Sequence, residues 1–340
     1  MTKQERIELL CTVRDSWVSR HRPESESTDW GQSLAMYGLL RTLDITDDAP
    51  TREFLRRWLY FHLNEHVHIN YFCGSWSFGL LYPTVATHFP GVRLQLDRTA
   101  QEMFDFIAAK ALRNGEGIIL HNVDLPNIYI DTVYYSSVLQ AKLGTYLKRE
   151  WKRDAMVQVR KHLNVLRDGE RPLFIHAQVN LSGDRSQGAW ARGNGWVMMT
   201  CAELLTVLKP SSVEYREILN DIFVPMCRML KRLQSSSGLW RTILDDASAY
   251  EEASATAMYL FALARVNRLR VLPKEFKGML TRAEEGLVAC VDRNGRFVHV
   301  SEGTWPGTVE YYKSLDRGEW WWGTGAYLLA LSELVADKLP

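Results

Sequence analysis

The 340-residue sequence has almost no excess charge of either sign: 41 Lys and Arg stand against 40 Asp and Glu, a formal net charge of +1. Without a basic surplus the chain cannot neutralise many phosphates, which argues against a nucleic-acid partner. It has no apolar run of about 18 residues, so no membrane-spanning helix is expected. Its first residues, MTKQERIELLCTVRDSW, lack the apolar stretch of a signal peptide and point to a cytoplasmic protein. Cysteine is sparse. Cys11, Cys73, Cys201, Cys227 and Cys290 are odd in number, scattered and set in apolar segments, as buried reduced thiols are. No C-x-x-C pair occurs, which leaves a zinc ribbon or a thioredoxin-like site without support. Alternating strand patterns are scarce, the best being residues 295–300, with 118–121 a second. No Pro/Gly/Ser-rich linker divides the chain and its composition does not shift, so residues 1–340 read as one domain.

Helical periodicity dominates what is there. Ile7, Leu10, Cys11 and Trp17 form one apolar stripe, and Trp30, Leu34, Tyr37 and Leu40 form the next. Continued along the chain, the pattern predicts helices near 3–20, 30–43, 51–68, 76–88, 96–113, 129–144, 149–166, 190–208, 213–234, 250–268, 273–289 and 322–337. Thr28-Asp29 and Pro50-Thr51 mark helix starts, and Ser236-Ser237-Gly238 marks an end. About twelve helices in sequential hairpins make an all-α fold of six hairpins, an (α/α)6 barrel, with a solenoid as the rival. The long loops 114–128, 167–189, 236–249 and 290–321 would gather at one rim and carry function.

The sequence contains 12 Trp, enough for a large core and for a sugar-stacking cleft as well. The segment 190–196, Trp-Ala-Arg-Gly-Asn-Gly-Trp, is the most informative. Gly193 and Gly195 let backbone approach a ligand, Arg192 offers a planar fork for a carboxylate, and Trp190 and Trp196 offer faces for a sugar ring. The plainer reading is a glycine-rich turn with two core tryptophans. Asp131 opens a helix among aromatics; it is either a first-turn cap or a carboxyl of shifted pKa suited to acid–base work. His121 and His176 are loop histidines. His62, Glu65 and His66 fit H-x-x-E-H, a zinc-binding pattern, but no third-ligand motif follows, and a polar helix end explains them as well. Gly74-Ser75-Trp76-Ser77-Phe78-Gly79 misses the nucleophile-elbow spacing by one residue, so serine catalysis is set aside.

Taken together, these residues resemble glycoside hydrolase family 105 and, more distantly, family 88, the unsaturated rhamnogalacturonyl and glucuronyl hydrolases. Segment 190–196 carries the resemblance. It is followed by Glu252-Ala253-Ser254-Ala255-Thr256-Ala257-Met258, Tyr311-Tyr312 and the closing 323–330 in the expected order. The resemblance implies an (α/α)6 barrel and no metal or cofactor. It makes Asp131 the catalytic acid, with Asn70, His121, Tyr129, His176, Trp190, Arg192, Gly193 and Trp196 around the substrate. One departure stands out: where the family has a second aspartate, this chain reads His68-Ile69-Asn70-Tyr71-Phe72-Cys73-Gly74, with Asn70 the nearest polar side chain.

The implied substrates are lyase-generated oligosaccharides ending in a 4,5-unsaturated uronic acid, of the pectin or rhamnogalacturonan type. The implied reaction hydrates the C4=C5 bond: an acid protonates C4, water adds at C5, and the hemiketal opens to release the aglycone. This is not the paired-carboxylate displacement of ordinary glycosidases. Asp131 would give the proton and help deprotonate water, while Arg192, with His176, would hold the uronate carboxylate. Two other functions compete: a sugar 2-epimerase on the same barrel, using His121 and His176 as an acid–base pair, and a non-catalytic carbohydrate-binding barrel.

Overall fold

The computed structural model describes residues 1–336 apart from 66 and 125. Six inner elements form a closed ring: Trp30–Thr42, Cys73–Leu81, 131–147, Ala191–Val207, Ala253–Arg268 and Trp321–Val335, the last packing back on the first. Six outer helices alternate with them in the chain: Lys3–Arg20, Ala49–Glu65, Arg93–Ala109, Lys152–Leu166, 213–233 and Lys277–Val288. The fold is the expected (α/α)6 barrel. The outer helices bury one stripe each; Leu10, Val13, Arg14 and Trp17 are the buried face of the first. The inner helices are buried almost all round, as Ala253–Val266 is without interruption.

Local chemistry sets the helix ends. Thr2 and Glu5 make a reciprocal capping box, Asp29 caps Trp30 and Ser212 caps Tyr215. The first and last inner helices meet backbone to backbone: a Cβ on Gly325 would stand 2.4 Å from the Leu34 carbonyl oxygen.

Two expected helices differ. Residues 76–88 divide into a 3-10 helix, Cys73–Leu81, and a short helix, Thr84–His88, because Pro83 between them has no N–H to continue the ladder. The helix expected at 129–144 starts at Asp131, after Ile128–Tyr129 pairs antiparallel with Ala177–Gln178, and it passes through a π-helical stretch at Tyr134–Val138. Of the strand expected at 295–300, only Val300 enters a ladder, with Ser301 against Arg317–Gly318; 118–121 makes one bridge, Ile119 to Arg113. The loop 290–321 also contains a helix, Val309–Ser314, that its periodicity did not reveal.

The inner helices run parallel. Their N-terminal ends share one rim: Trp30 stacks on Trp322 at 4.6 Å and meets Trp196 edge-on at 6.2 Å. Their later turns share a buried ionic network. Arg265 binds Glu203 at 2.6 Å and Glu333 at 2.5 Å, and Lys142 and Tyr37 also reach Glu203. The partial positive charge of the helix N-termini therefore gathers at the open rim, and Arg265 and Lys142 lie toward the opposite ends.

Candidate active site

A cleft of about 330 Å³ opens at the N-terminal rim. Asp131, Tyr129, His121 and His176 line it together with Asp29, Trp30, Phe72, Asn122, Tyr135, Gly303, Thr304 and Trp305. Three of the four long loops contribute; 236–249 does not, and instead pairs Trp240–Arg241 with Glu251–Glu252 behind the site. Among the described residues no Lys or Arg lines the cleft.

Asp131 begins the third inner helix. Its Oδ2 is buried and has no hydrogen-bond partner among the described residues. The side chain keeps 16% of its exposure, so it is desolvated yet reachable from the cleft. Burial raises its pKa to about 6, against the downward pull of Arg192, its own backbone N–H and the Trp196 indole. A carboxyl with that pKa exchanges a proton near neutrality.

His176 Nε2 lies 3.6 Å from Asp131 Oδ2. Burial, then Arg192 and His121, push the His176 pKa well down, so the ring is neutral and the pair is not a salt bridge. Its Nδ1 is 3.1 Å from the Tyr312 hydroxyl, which itself accepts the Gly307 N–H. The Tyr312 hydroxyl can donate to Nδ1, an arrangement that leaves Nε2–H facing Asp131. Trp190 stacks on the His176 ring at 3.9 Å.

Tyr129 and His121 form the opposing wall, stacked at 4.1 Å and 10° or less from parallel (9°). His121 Nδ1 is held by Thr132 Oγ1 at 3.0 Å and Cys73 Sγ at 3.2 Å. Burial lowers its pKa to about 3, and burial likewise lifts Tyr129 to about 12. Both histidines are therefore neutral, and two neutral imidazoles do not make the acid–base pair an epimerase would need at neutral pH.

The structure corrects several expectations within segment 190–196. Arg192 does not line the cleft. It is buried, with its two Nη atoms donating to the Ser301 carbonyl and hydroxyl, the Glu302 carbonyl and the Thr304 hydroxyl. It clamps the loop that presents Gly303, Thr304 and Trp305. Glu252 holds the same loop from behind: its carboxylate accepts from Ser301 N at 2.9 Å while capping its own helix at Ser254 and Ala255. Trp190 packs behind His176, with Arg192 4.8 Å over its ring. A Cβ on Gly193 would stand 2.7 Å from Ile130 Cγ2, so that glycine lets the third and fourth inner helices meet rather than admitting a ligand. Trp196 is buried under Trp30, Tyr134 and Tyr135 and does not line the cleft.

Asn70 also lies outside the cleft. It is exposed, its Oδ1 accepts the Phe72 N–H at 2.8 Å and its carbonyl accepts the Trp76 indole N–H, so it shapes the turn that delivers Phe72. His62 is buried with Nε2 2.7 Å from the Glu26 carbonyl; His66 and the Glu65 side chain lie outside the described residues. Among the described residues no group of three His, Cys, Asp or Glu side chains is placed to hold a metal, and no helix is long and apolar enough to cross a membrane.

Sequence reading missed Asp29, Trp30 and Thr304–Trp305 as cleft residues. Asp29 carried a cap signal, which is true but incomplete, and Trp30 a core signal. Thr304 and Trp305 sit in a loop whose placement depends on Arg192 and Glu252, far away in the chain.

Comparison with known proteins agrees with this architecture. The unsaturated rhamnogalacturonyl hydrolase YesR of Bacillus subtilis (strain 168) is 28% identical over 97% of this chain and 96% of its own length. A possible member of the GH105 family from Klebsiella pneumoniae superposes with a TM-score of 0.89 at 22% identity, covering 98% of this chain and 94% of that one. A family 105 glycoside hydrolase of C. acetobutylicum gives 0.85 at 22% identity, covering 96% and 98%. Residues 5–337 match the family described as Glycosyl Hydrolase Family 88, and the chain belongs to that family.

Proposed function

We propose that the protein is an unsaturated uronyl hydrolase that hydrates the C4=C5 bond of a 4,5-unsaturated uronic acid at the non-reducing end of a short oligosaccharide. One observation carries the reading: a single unpartnered carboxyl oxygen, on Asp131, is buried at the floor of an aromatic-walled cleft with a pKa of about 6. Asp131 delivers its proton to C4, water adds at C5, and the hemiketal opens with loss of the aglycone. The resulting Asp131 carboxylate takes a proton from the water, restoring the acid. His176 Nε2 faces the carboxylate across 3.6 Å and carries no net charge that would draw the proton away.

The substrate carboxylate meets no fixed cation in the cleft. It is met by converging helix N-termini, with the Arg192 charge behind the loop. Tyr129 supplies a flat wall for the ring, and the exposed Trp305 also lines the cleft. The full-length likeness to an unsaturated rhamnogalacturonyl hydrolase supports a pectin-derived substrate. Five unpaired cysteines, four of them buried, fit a cytoplasmic enzyme acting on imported oligosaccharides.

The test is a panel of lyase-digested rhamnogalacturonan, ulvan, heparin and chondroitin, followed by loss of the ultraviolet absorbance of the enoate. Turnover of the rhamnogalacturonan disaccharide supports the reading. Binding without absorbance loss on every member of the panel overturns it in favour of a non-catalytic barrel.

A further inference from the structure

The charge of a uronate and the electrostatics of the cleft are poorly matched. An unsaturated uronide carries its carboxyl group on C5, the neighbour of C4. A proton donor reacts from about 3–3.5 Å, and the carboxyl carbon lies two bonds beyond C4, so that group sits within about 6 Å of Asp131 Oδ2. Once its proton has moved, Asp131 is a carboxylate, and a free-acid substrate sets a second anion beside it in a desolvated space. Asp29 adds another carboxyl to the lining, and among the described residues no Lys or Arg lines the cleft with them.

The cationic and hydroxyl donors of the loop 301–305 are already used. Both Arg192 Nη atoms donate to Ser301, Glu302 and Thr304, and the Arg192 charge is shared between Glu252 and Asp131. The Thr304 hydroxyl accepts from Arg192 and donates to the Glu302 carbonyl at 2.9 Å. His121 and His176 are neutral. What the cleft offers instead is apolar surface: Trp30, Phe72, Tyr129, Tyr135 and Trp305 all line it. Phe72 is fixed in that wall. Its N–H donates to Asn70 Oδ1 at 2.8 Å, its carbonyl accepts the Ser75 hydroxyl at 2.7 Å, and its ring meets His121 edge-on at 5.3 Å. The ring also lies against Gly74, where a Cβ would stand 2.3 Å from it.

Resting on the proposed hydration reaction, we infer that this cleft selects an uncharged substituent at C5, and that its preferred substrate is the methyl ester of the unsaturated uronide rather than the free acid. Such rings arise by β-elimination in uronans whose carboxyl groups are esterified. The ester carbonyl accepts hydrogen bonds at helix N-termini as a carboxylate does, the methyl group covers aromatic wall, and no anion is set beside Asp131. The ester takes no part in the bond changes. C4 gains the proton of Asp131, C5 gains the hydroxyl of water, the remaining water proton returns to Asp131, and the hemiketal opens with the ester intact.

The test gives the unaltered enzyme one disaccharide in two forms. The unsaturated rhamnogalacturonan disaccharide is supplied as the free acid and as its C5 methyl ester, and loss of ultraviolet absorbance is followed at about 20 and about 200 mM salt. The expected result at low salt is a kcat/KM at least about fivefold higher for the ester, carried mainly by a lower KM. Added salt screens repulsion, so the free acid gains about two- to threefold while the ester changes by less than about 1.5-fold. A free acid that equals or exceeds the ester at low salt, or that loses kcat/KM as salt rises, overturns the inference, because either result shows a cationic anchor for the carboxylate. Turnover of the free acid alone also overturns it and leaves the proposed reaction standing. Turnover of neither form is a separate failure, which removes the proposed reaction itself.

Discussion

His176 Nε2 faces Asp131 Oδ2 across 3.6 Å, a neutral imidazole beside a carboxyl whose pKa is about 6. A charged histidine there would pull the carboxyl down into the ordinary aspartate range and leave no acid at neutral pH. Keeping His176 neutral is what lets Asp131 hold its proton. Because the acid form of Asp131 starts the reaction, kcat/KM falls as pH rises, with an apparent pKa near 6 on that limb. A pH profile by enoate absorbance checks this; a flat profile between pH 5 and 8 contradicts it.

The same raised pKa acts against stability. An unfolded aspartate titrates near 3.8 and the native Asp131 near 6. Between these values the native state holds a proton that the unfolded state has lost, so stability falls as pH rises through the window. Asp131→Asn removes the penalty. It should be more stable than the unaltered protein at pH 7.5, by up to about 3 kcal/mol, and equal to it near pH 3.5. Urea unfolding at the two pH values measures the difference.

Tyr312→Phe removes the proton donated to His176 Nδ1 and frees the ring to change tautomer. The expected effect is about a tenfold fall in kcat with little change in KM, since the floor and walls of the cleft are untouched. An equal fall in binding of product without change in kcat would assign Tyr312 to substrate contact instead.

Arg192→Lys keeps the charge but not the fork that grips the Ser301, Glu302 and Thr304 positions. Hydrogen exchange at residues 301–305 should rise and kcat/KM should fall by at least about tenfold. If Lys restores activity with the loop still mobile, Arg192 acts through its charge alone.

The barrel was legible because helical periodicity survives even where inner helices are buried all round, and because Thr2, Asp29 and Ser212 mark true starts. The site was legible in part. Asp131, Tyr129, His121 and His176 come together as expected. Arg192 and Trp190 do support the site, but from behind: the sequence shows a guanidinium near glycines and cannot show that Ser301 and Thr304, over a hundred residues later, occupy it. Asn70 was chosen by position along the chain, whereas the carboxyl that enters the cleft, Asp29, comes from the preceding hairpin.

The buried network at the other end of the inner helices makes a prediction independent of catalysis. Arg265 neutralises Glu203 and Glu333 where all three are buried. Arg265→Met removes the bridge between the two carboxylates, leaving Glu203 to Lys142 and Glu333 to Arg268, and should cost about 3–5 kcal/mol in urea unfolding.

The most direct measurement is the rate of enoate absorbance loss in single-turnover conditions, unaltered protein against Asp131→Asn, with the unsaturated rhamnogalacturonan disaccharide in place. With Asp131 as the proton donor, the substitution lowers the rate by about a thousandfold or more while the disaccharide still binds. A variant that keeps its rate within about tenfold would place the proton elsewhere and contradict the account.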